Sequence, residues 1–272
     1  MRILVTGASG LLGKSLCPVL DREGWQYWAC NSKIFDITNT KMVNEIMNKI
    51  SLDFIIHLAG YTNIDQAEDN PKLAYDVNQL GTRNIALIAK KHNIPILYVS
   101  TDNVFDGNSD TPYKTTDTTN PINVYGKSKL AGEQEIIKAT KNHYILRTSW
   151  LYGQGGYVDA MLTFSNFRKE ISIVDDQIGS PTCADDVSEK IVELIKTKAP
   201  YGIYHISASG SASWADFTKK IFEFKKRNVE VCAIDKSDFP RPALRPKYCV
   251  LDNDNSLPNW ESSLEKYLSA KN

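Results

Sequence analysis

The sequence predicts an α/β chain: a doubly wound parallel sheet followed by a smaller, discontinuous C-terminal domain. Three observations carry that reading. A glycine-rich turn, Gly7-Ala-Ser-Gly10-Leu-Leu-Gly13, sits between a strand-like run and a helix-like one. Short apolar runs then alternate with amphipathic helical stretches to about residue 150, the pattern of βα units that build a parallel sheet. Beyond that point the alternation stops and short strands and helices mix. Strand, glycine turn and helix in that order give the first unit the form of a Rossmann dinucleotide fingerprint.

The first strand is expected over residues 2–6, Arg-Ile-Leu-Val-Thr. Leu12, Leu16, Val19 and Leu20 then recur at helical spacing, and Pro18 inside that helix should kink it or end its first half. Gly7 permits the tight turn, Gly10 lets backbone approach a pyrophosphate, and Gly13 lets the helix pack closely. The helix N-terminus adds free N–H groups and the positive end of a dipole. The glycine spacing is Gly-x-x-Gly-x-x-Gly, not the commoner Gly-x-Gly-x-x-Gly. Residues 26–30 make the second strand. NAD-selective folds usually end that strand in a carboxylate; here Asn31, Ser32 and Lys33 follow, so nothing repels a 2′-phosphate and Lys33 can attract one. The expected cofactor is NADP(H), with NAD(H) as the alternative and Lys33 then a solvated loop charge. Asp36 and Ile37 either meet an adenine, edge and face, or Asp36 caps the helix expected over residues 38–50.

Residues 54–59 form a third buried strand, in which His57 reads as a satisfied core histidine. The segment from Gly60 leaves that strand's carboxyl end, where open α/β sheets place ligands. A long helix should begin near Pro71. The fourth strand, residues 94–100, delivers the Thr101 hydroxyl to the same edge. Tyr125 and Lys129 lie four residues apart at the start of a helix-forming run, which puts phenol and ammonium on one helical face. The lysine charge would bring the phenol down from its ordinary ~10 toward a range useful for moving protons at a carbonyl or alcohol. Tyr-x-x-x-Lys pairs also occur on solvated helices; the glycine turn and Thr101 give this one its force.

A fifth strand spans residues 144–148. The tail then mixes strands at 171–174, 203–206 and 229–234 with helices at about 184–197, 213–227 and 257–269. The domains follow: residues 1–150 plus about 184–207 make the dinucleotide-binding unit, and residues 151–183 with 208–272 make the second. Two polar, proline-rich loops mark the tail, residues 176–182 and 240–247. The latter carries Arg241, Arg245 and Lys247, which either grip a diphosphate or form a solvated basic loop.

Composition removes other classes. Lys+Arg and Asp+Glu are equal at 32 each, so no global field recruits nucleic acid or an anionic membrane. The five cysteines are scattered without metal-ligand spacing, which suits a reducing cytoplasm and argues against disulfides or zinc. The N-terminus enters a strand at once, leaving no room for a signal peptide, and no apolar stretch is long enough to span a bilayer.

With Gly7, Gly10, Gly13, Thr101, Tyr125 and Lys129 in place, the chain resembles the extended short-chain dehydrogenase/reductase superfamily. It is similar in particular to the dTDP-4-dehydrorhamnose reductase family. Segments carrying the closer match include Ala59-Gly-Tyr-Thr-Asn-Ile-Asp-Gln-Ala-Glu68, Ser100-Thr-Asp-Asn-Val-Phe-Asp-Gly107, Arg147-Thr-Ser-Trp-Leu-Tyr-Gly153 and Arg245-Pro-Lys-Tyr-Cys-Val-Leu-Asp252. They run from one end of the chain to the other. The resemblance implies reduction of a nucleotide-linked 4-keto-6-deoxy sugar, with Thr101, Tyr125 and Lys129 as catalytic triad and the second domain binding substrate. It implies a cofactor lined by Gly7, Gly10, Leu11, Leu12, Asp36, Ile37, Ala59, Gly60 and Tyr61, joined by Lys129 and by Thr148. Thr62, Ile64, Asp102, Asn103 and Trp150 would meet the sugar; Gln177, Thr182 and Arg245 would hold the nucleotide end. The family usually has tyrosine where this chain has Asn103. Some members place a glutamate in the first helix that helps a magnesium-bridged dimer; here Lys14-Ser15 stands there, so no metal is expected, and a homodimer stays open. Two alternatives remain: a reductase or epimerase of another nucleotide sugar, and a dinucleotide-binding regulatory subunit like that of methionine adenosyltransferase.

Overall fold

The computed structural model describes residues 1–271, the side chain of Lys236 excepted. The strands are β1 (Arg2–Thr6), β2 (Gln26–Cys30), β3 (Phe54–His57), β4 (Ile96–Thr101), β5 (His143–Thr148), β6 (Leu151–Tyr152), β7 (Glu170–Val174), β8 (Ile178–Gly179), β9 (Thr182–Cys183), β10 (Gly202–His205), β11 (Ala212–Ser213) and β12 (Glu230–Ile234). The α-helices are α1 (Leu11–Arg22), α2 (Thr40–Met47), α3 (Ile64–Asp69), α4 (Pro71–Tyr75), α5 (Thr82–His92), α6 (Val124–Ala139), α7 (Tyr157–Phe164), α8 (Ala184–Thr197), α9 (Trp214–Phe224) and α10 (Trp260–Ser269). The strands expected from sequence all form, their ends displaced by two residues at most.

Six strands make one all-parallel sheet in the order β10-β5-β4-β3-β1-β2. Successive strand residues point to opposite faces. Ile3, Val5, Ile56, Leu97 and Leu146 pack on Leu16 and Leu20 of α1 and on Val187 and Ile191 of α8. Leu4, Ile55, Ile96, Tyr98 and Ile145 pack the other way, against α2, α5 and α6 through Val43, Ile85 and Ile136. Covering both faces is why these strands read as continuous apolar runs rather than alternating ones. Each such side chain, fully buried, contributes about 1.5–3 kcal/mol. A separate core of Tyr152, Val158, Phe217, Ile221, Trp260 and Leu264 joins α7, α9 and α10.

Two local expectations change. α1 runs unbroken through Pro18. Pro18 and Lys14 are both exposed, so the carbonyl that loses its donor faces water, while buried Leu16, Val19 and Leu20 hold the helix on the sheet. The long helix from Pro71 is interrupted by a π-helical turn, Asp76–Gly81, between α4 and α5. That wide turn carries buried Asn78, whose amide bonds both Tyr61 backbone groups and the Ser128 hydroxyl.

Candidate active site

The carboxyl ends of the parallel strands open onto a cleft of about 640 Å³, a volume typical of small-molecule sites. At one end the chain turns at Gly7 with φ +69°, where a Cβ would sit 2.6 Å from the Ala59 nitrogen. Only glycine meets both demands. A Cβ at Gly13 would lie 2.4 Å from the Ala8 carbonyl oxygen, so the helix packs on the turn, as the spacing implied. Gly10 caps α1 and offers no side chain to its first N–H groups. With Gly10, Leu11, Leu12 and Gly13 all in the cleft wall, those groups are free for an anion.

Asn31, Ser32, Asp36 and Ile37 continue this wall. Lys33 is exposed and lies outside the lining. The Asp36 carboxylate accepts from the Thr38 backbone N–H and hydroxyl, and α2 is capped instead by Asn39, which accepts from Met42 N at 3.0 Å. Two buried hydroxyls of the wall, Ser100 Oγ and Thr148 Oγ1, have no protein partner. Buried polar groups in proteins are mostly paired, and these two, unlike the other orphaned atoms, face the cleft, so they suit a polar ligand. An open helix N-terminus, a glycine cradle and orphaned hydroxyls together fit a dinucleotide.

Thr101 ends β4, while Tyr125 and Lys129 stand on the first turns of α6, and all three line the cleft. The Tyr125 phenol and the Thr101 hydroxyl are neighbours in that wall. Burial pushes the Tyr125 phenol up to about 12; the nearby Thr101 hydroxyl lowers it and the Asp102 charge raises it. Burial brings the Lys129 ammonium down to about 7, with the Glu133 charge opposing. Lys129 Nζ donates to the Val99 carbonyl at 2.7 Å and lies 4.0 Å over the Tyr98 ring. The expectation that Lys129 lowers the Tyr125 pKa is therefore not met: burial sets the phenol, and the lysine is engaged elsewhere.

The Thr101 hydroxyl donates to Asp102 Oδ1 at 2.9 Å. Asp102 is buried and its carboxyl is raised by burial, against the pull of bonds from Ser149, Asn103 and Thr101. Below the site His57 is fully buried, bonded to the Thr6 and Thr82 hydroxyls at 2.6 and 3.0 Å, and held down to about 3 by burial and by Lys129. It is a satisfied core residue. Also behind the wall, Arg147 pairs with Glu133 through two bonds, Nε to Oε1 at 3.0 Å and Nη2 to Oε2 at 2.8 Å.

On the other side, Ala59, Gly60, Thr62, Ile64, Asp102, Asn103, Trp150, Gln177 and Arg245 line the cleft. Tyr61 and Thr182 are not in its lining. The Tyr61 amide bonds Asn78 at 2.7 Å, and its hydroxyl turns to Gln66. Thr182 is fully buried, donating to the Ser180 carbonyl at 2.8 Å and accepting from Ala208 N at 3.1 Å. Sequence reasoning missed Trp214, whose ring stacks on Trp150 at 3.8 Å and 9° and also lines the cleft. Gly179 closes the other face of Trp150, where a Cβ would sit 2.4 Å from the indole. No local signal marks Trp214, since only the turn that returns α9 to the sheet edge brings it there. Sequence reasoning also missed Asp65, which accepts from Arg245 at 2.9 Å, Arg241 at 3.2 Å and Ala243 N at 3.3 Å across the mouth. Among the described residues no cluster of His, Cys, Asp or Glu could hold a metal ion, and no helix is long and apolar enough to cross a membrane.

A family model described as the RmlD substrate binding domain matches residues 1–271. A dTDP-4-dehydrorhamnose reductase of Sinorhizobium fredii is 36% identical, over 99% of this chain and 97% of its own length. The Bacillus subtilis spore coat polysaccharide biosynthesis protein SpsK is 34% identical over 99% and 98%. The crystal structure of a Clostridium acetobutylicum dTDP-4-dehydrorhamnose reductase superposes with TM-score 0.97 at 35% identity, covering 100% of this chain and 99% of that one. That of the Bacillus anthracis dTDP-4-dehydrorhamnose reductase in complex with NADP gives 0.95 at 40% identity, covering 99% of each. A Thermus thermophilus UDP-glucose 4-epimerase, at 16% identity and TM-score 0.83, shares the fold. A sheet edge carrying Thr101, Tyr125 and Lys129 beside a glycine cradle, matched along the whole chain, places this protein in the dTDP-4-dehydrorhamnose reductase family of NAD(P)-dependent oxidoreductases.

Proposed function

We propose that this protein reduces the C4 ketone of a nucleotide-linked 4-keto-6-deoxy sugar with NADPH, converting dTDP-4-dehydro-L-rhamnose to dTDP-L-rhamnose. The observation that carries the reading is the Thr101–Tyr125 hydroxyl pair in one cleft with the uncapped N-terminus of α1. The NADP complex of the Bacillus anthracis relative supports the choice of cofactor. Gly10, Leu11 and Leu12 would hold its pyrophosphate, Asn31 and Ser32 its 2′-phosphate end, Ser100, Lys129 and Thr148 its nicotinamide half. Bound there, the cofactor supplies the hydride that adds to C4.

The protein handles the oxygen. Thr101 turns its O–H from Asp102 to the ketone oxygen, and Asp102 keeps its bonds from Ser149 and Asn103. Tyr125 gives its proton to that oxygen as the carbon is reduced, leaving an alcohol and a phenolate. Lys129, close to half-protonated near neutrality, returns a proton toward Tyr125. General acid catalysis of this kind is worth about 10²–10⁴-fold. We assign residues 1–150 and about 184–207 to the cofactor, and 151–183 with 208–272 to the nucleotide sugar. Trp150 and Trp214 would give the sugar ring an apolar wall; Gln177 and Arg245 would hold the nucleotide end. All five cysteines are free, which suits a cytoplasmic enzyme.

The test is to follow NADPH absorbance with a panel of nucleotide 4-keto sugars. Consumption should be fastest with dTDP-4-dehydro-L-rhamnose. No consumption with any sugar, while NADPH still binds, would leave the regulatory-subunit reading in its place.

A further inference from the structure

Thr101 and Tyr125 come from separate elements, the end of β4 and the first turn of α6, and one hydroxyl has to be fixed against the other. The buried side chain that spans the two elements is Asn123. Its Oδ1 caps α6 by accepting from Gly126 N at 2.7 Å. Its Nδ2 makes two bonds that a cap does not need. One goes to Asn103 Oδ1 at 3.0 Å, the other to the Leu244 carbonyl at 2.9 Å. At 1% exposure, both amide hydrogens and the oxygen are used. The Asn103 amide carries the network onward, donating from Nδ2 to Asp102 Oδ1 at 2.9 Å, the same oxygen that receives the Thr101 hydroxyl. Backbone contact reinforces it: a Cβ at Gly126 would lie 2.1 Å from the Asn103 carbonyl oxygen.

We propose that the Asn103–Asn123 amide pair positions Thr101 against Tyr125, and that through Leu244 it ties their separation to the loop carrying Arg245. Asn103 is then a positioning residue, its amide turned inward to Asn123 and Asp102. The tyrosine usual at this place in the family carries its one hydroxyl a ring's length further out, and cannot make both bonds from the same backbone position. This chain has built a side-chain bridge there. The kinetic part of the proposal rests on the reductase reading; the structural part does not.

The experiment compares the wild type with Asn103→Ala and Asn123→Asp. Aspartate keeps the capping oxygen and loses both donated bonds. Hydrogen exchange is followed in peptides covering residues 101–105, 123–127 and 243–247, alongside steady-state reduction. Asn103→Ala should speed exchange about tenfold in 123–127 as well as in 101–105, because the two segments open together. Asn123→Asp should add residues 243–247. Both should lower kcat about tenfold or more with KM for NADPH unchanged, since misplaced reacting groups cost rate rather than cofactor binding. The limb of the kcat pH profile set by Tyr125 should move upward as the Thr101 hydroxyl shifts away from the phenol, which a plain loss of folded protein would not do. Exchange confined to the mutated segment, or kcat within about twofold of wild type, overturns the proposal. Should Asn123→Asp fail to fold, Asn103→Ala, at a half-buried site, carries the test alone. Coupled exchange with no sugar reduced by the wild type would keep the bridge and reject the reductase reading.

Discussion

The back wall and the mouth of the cleft each hold a carboxylate bound by guanidinium, and the two behave differently. Behind the wall, Glu133 and Arg147 are 1% and 4% exposed and joined by two parallel bonds. At the mouth, Asp65 and Arg245 are 24% and 17% exposed, and Arg241, which shares Asp65, is 50% exposed. The same chemistry serves two ends. In the dry wall neither partner can leave, because a lone buried charge costs several kcal/mol. At the mouth water and salt screen the pair, so an incoming diphosphate can compete for the arginines. Burial raises the Asp65 carboxyl, but Arg245, Ala243 N and Arg241 outweigh it and hold it below the usual range. The wall thus fixes geometry for chemistry, and the mouth is suited to exchange ligands.

The largest expected effect breaks the wall's chemistry alone. Tyr125→Phe should lower kcat by about 10²–10⁴-fold and leave NADPH affinity unchanged by titration calorimetry. A loss of cofactor binding at unchanged turnover would reject the role given to Tyr125. Next, Arg147→Met should cost about 3–5 kcal/mol in urea unfolding by stranding Glu133, whereas Arg22→Met, at a surface pair 60% and 52% exposed, should leave the urea midpoint close to wild type. Equal costs would erase the distinction between wall and surface.

A pH series sharpens the contrast. Lys129 titrates near about 7 in the folded chain against its ordinary 10.5, so between those values the unfolded chain binds the extra proton. Stability should therefore rise with pH across that window relative to Lys129→Met, by on the order of 1 kcal/mol per unit; below the window the deficit of the wild type should level off at its largest value, and above it the deficit should be relieved. A flat difference would show that Lys129 is not desolvated. At the mouth, Arg245→Met should raise KM for the nucleotide sugar about tenfold, with kcat within twofold and the effect shrinking in high salt. The smallest effect concerns cofactor choice: NADPH should bind at least as tightly as NADH, and NADH tighter by about tenfold, or 1.4 kcal/mol, would count against a 2′-phosphate site at Asn31 and Ser32.

Much of this was legible in the chain, for local reasons. The glycine turn, the strand ends that carry Thr101 and Thr148, and the Tyr125–Lys129 spacing follow from backbone conformation and side-chain period, which a few neighbouring residues determine. So does the doubly wound sheet, since apolar runs alternating with amphipathic helices have one economical way to bury both faces. What the tertiary structure decided are the partners. Arg245 and Asp65 are 180 positions apart, Leu244 and Asn123 are 121 apart, and no local pattern pairs them. Trp214 reaches the cleft only because α9 returns to the sheet edge beside Trp150. The ionisation of Tyr125 and Lys129 is a tertiary property for the same reason: spacing places two groups side by side, but desolvation depends on everything packed around them, and here it is the largest cause of both shifts.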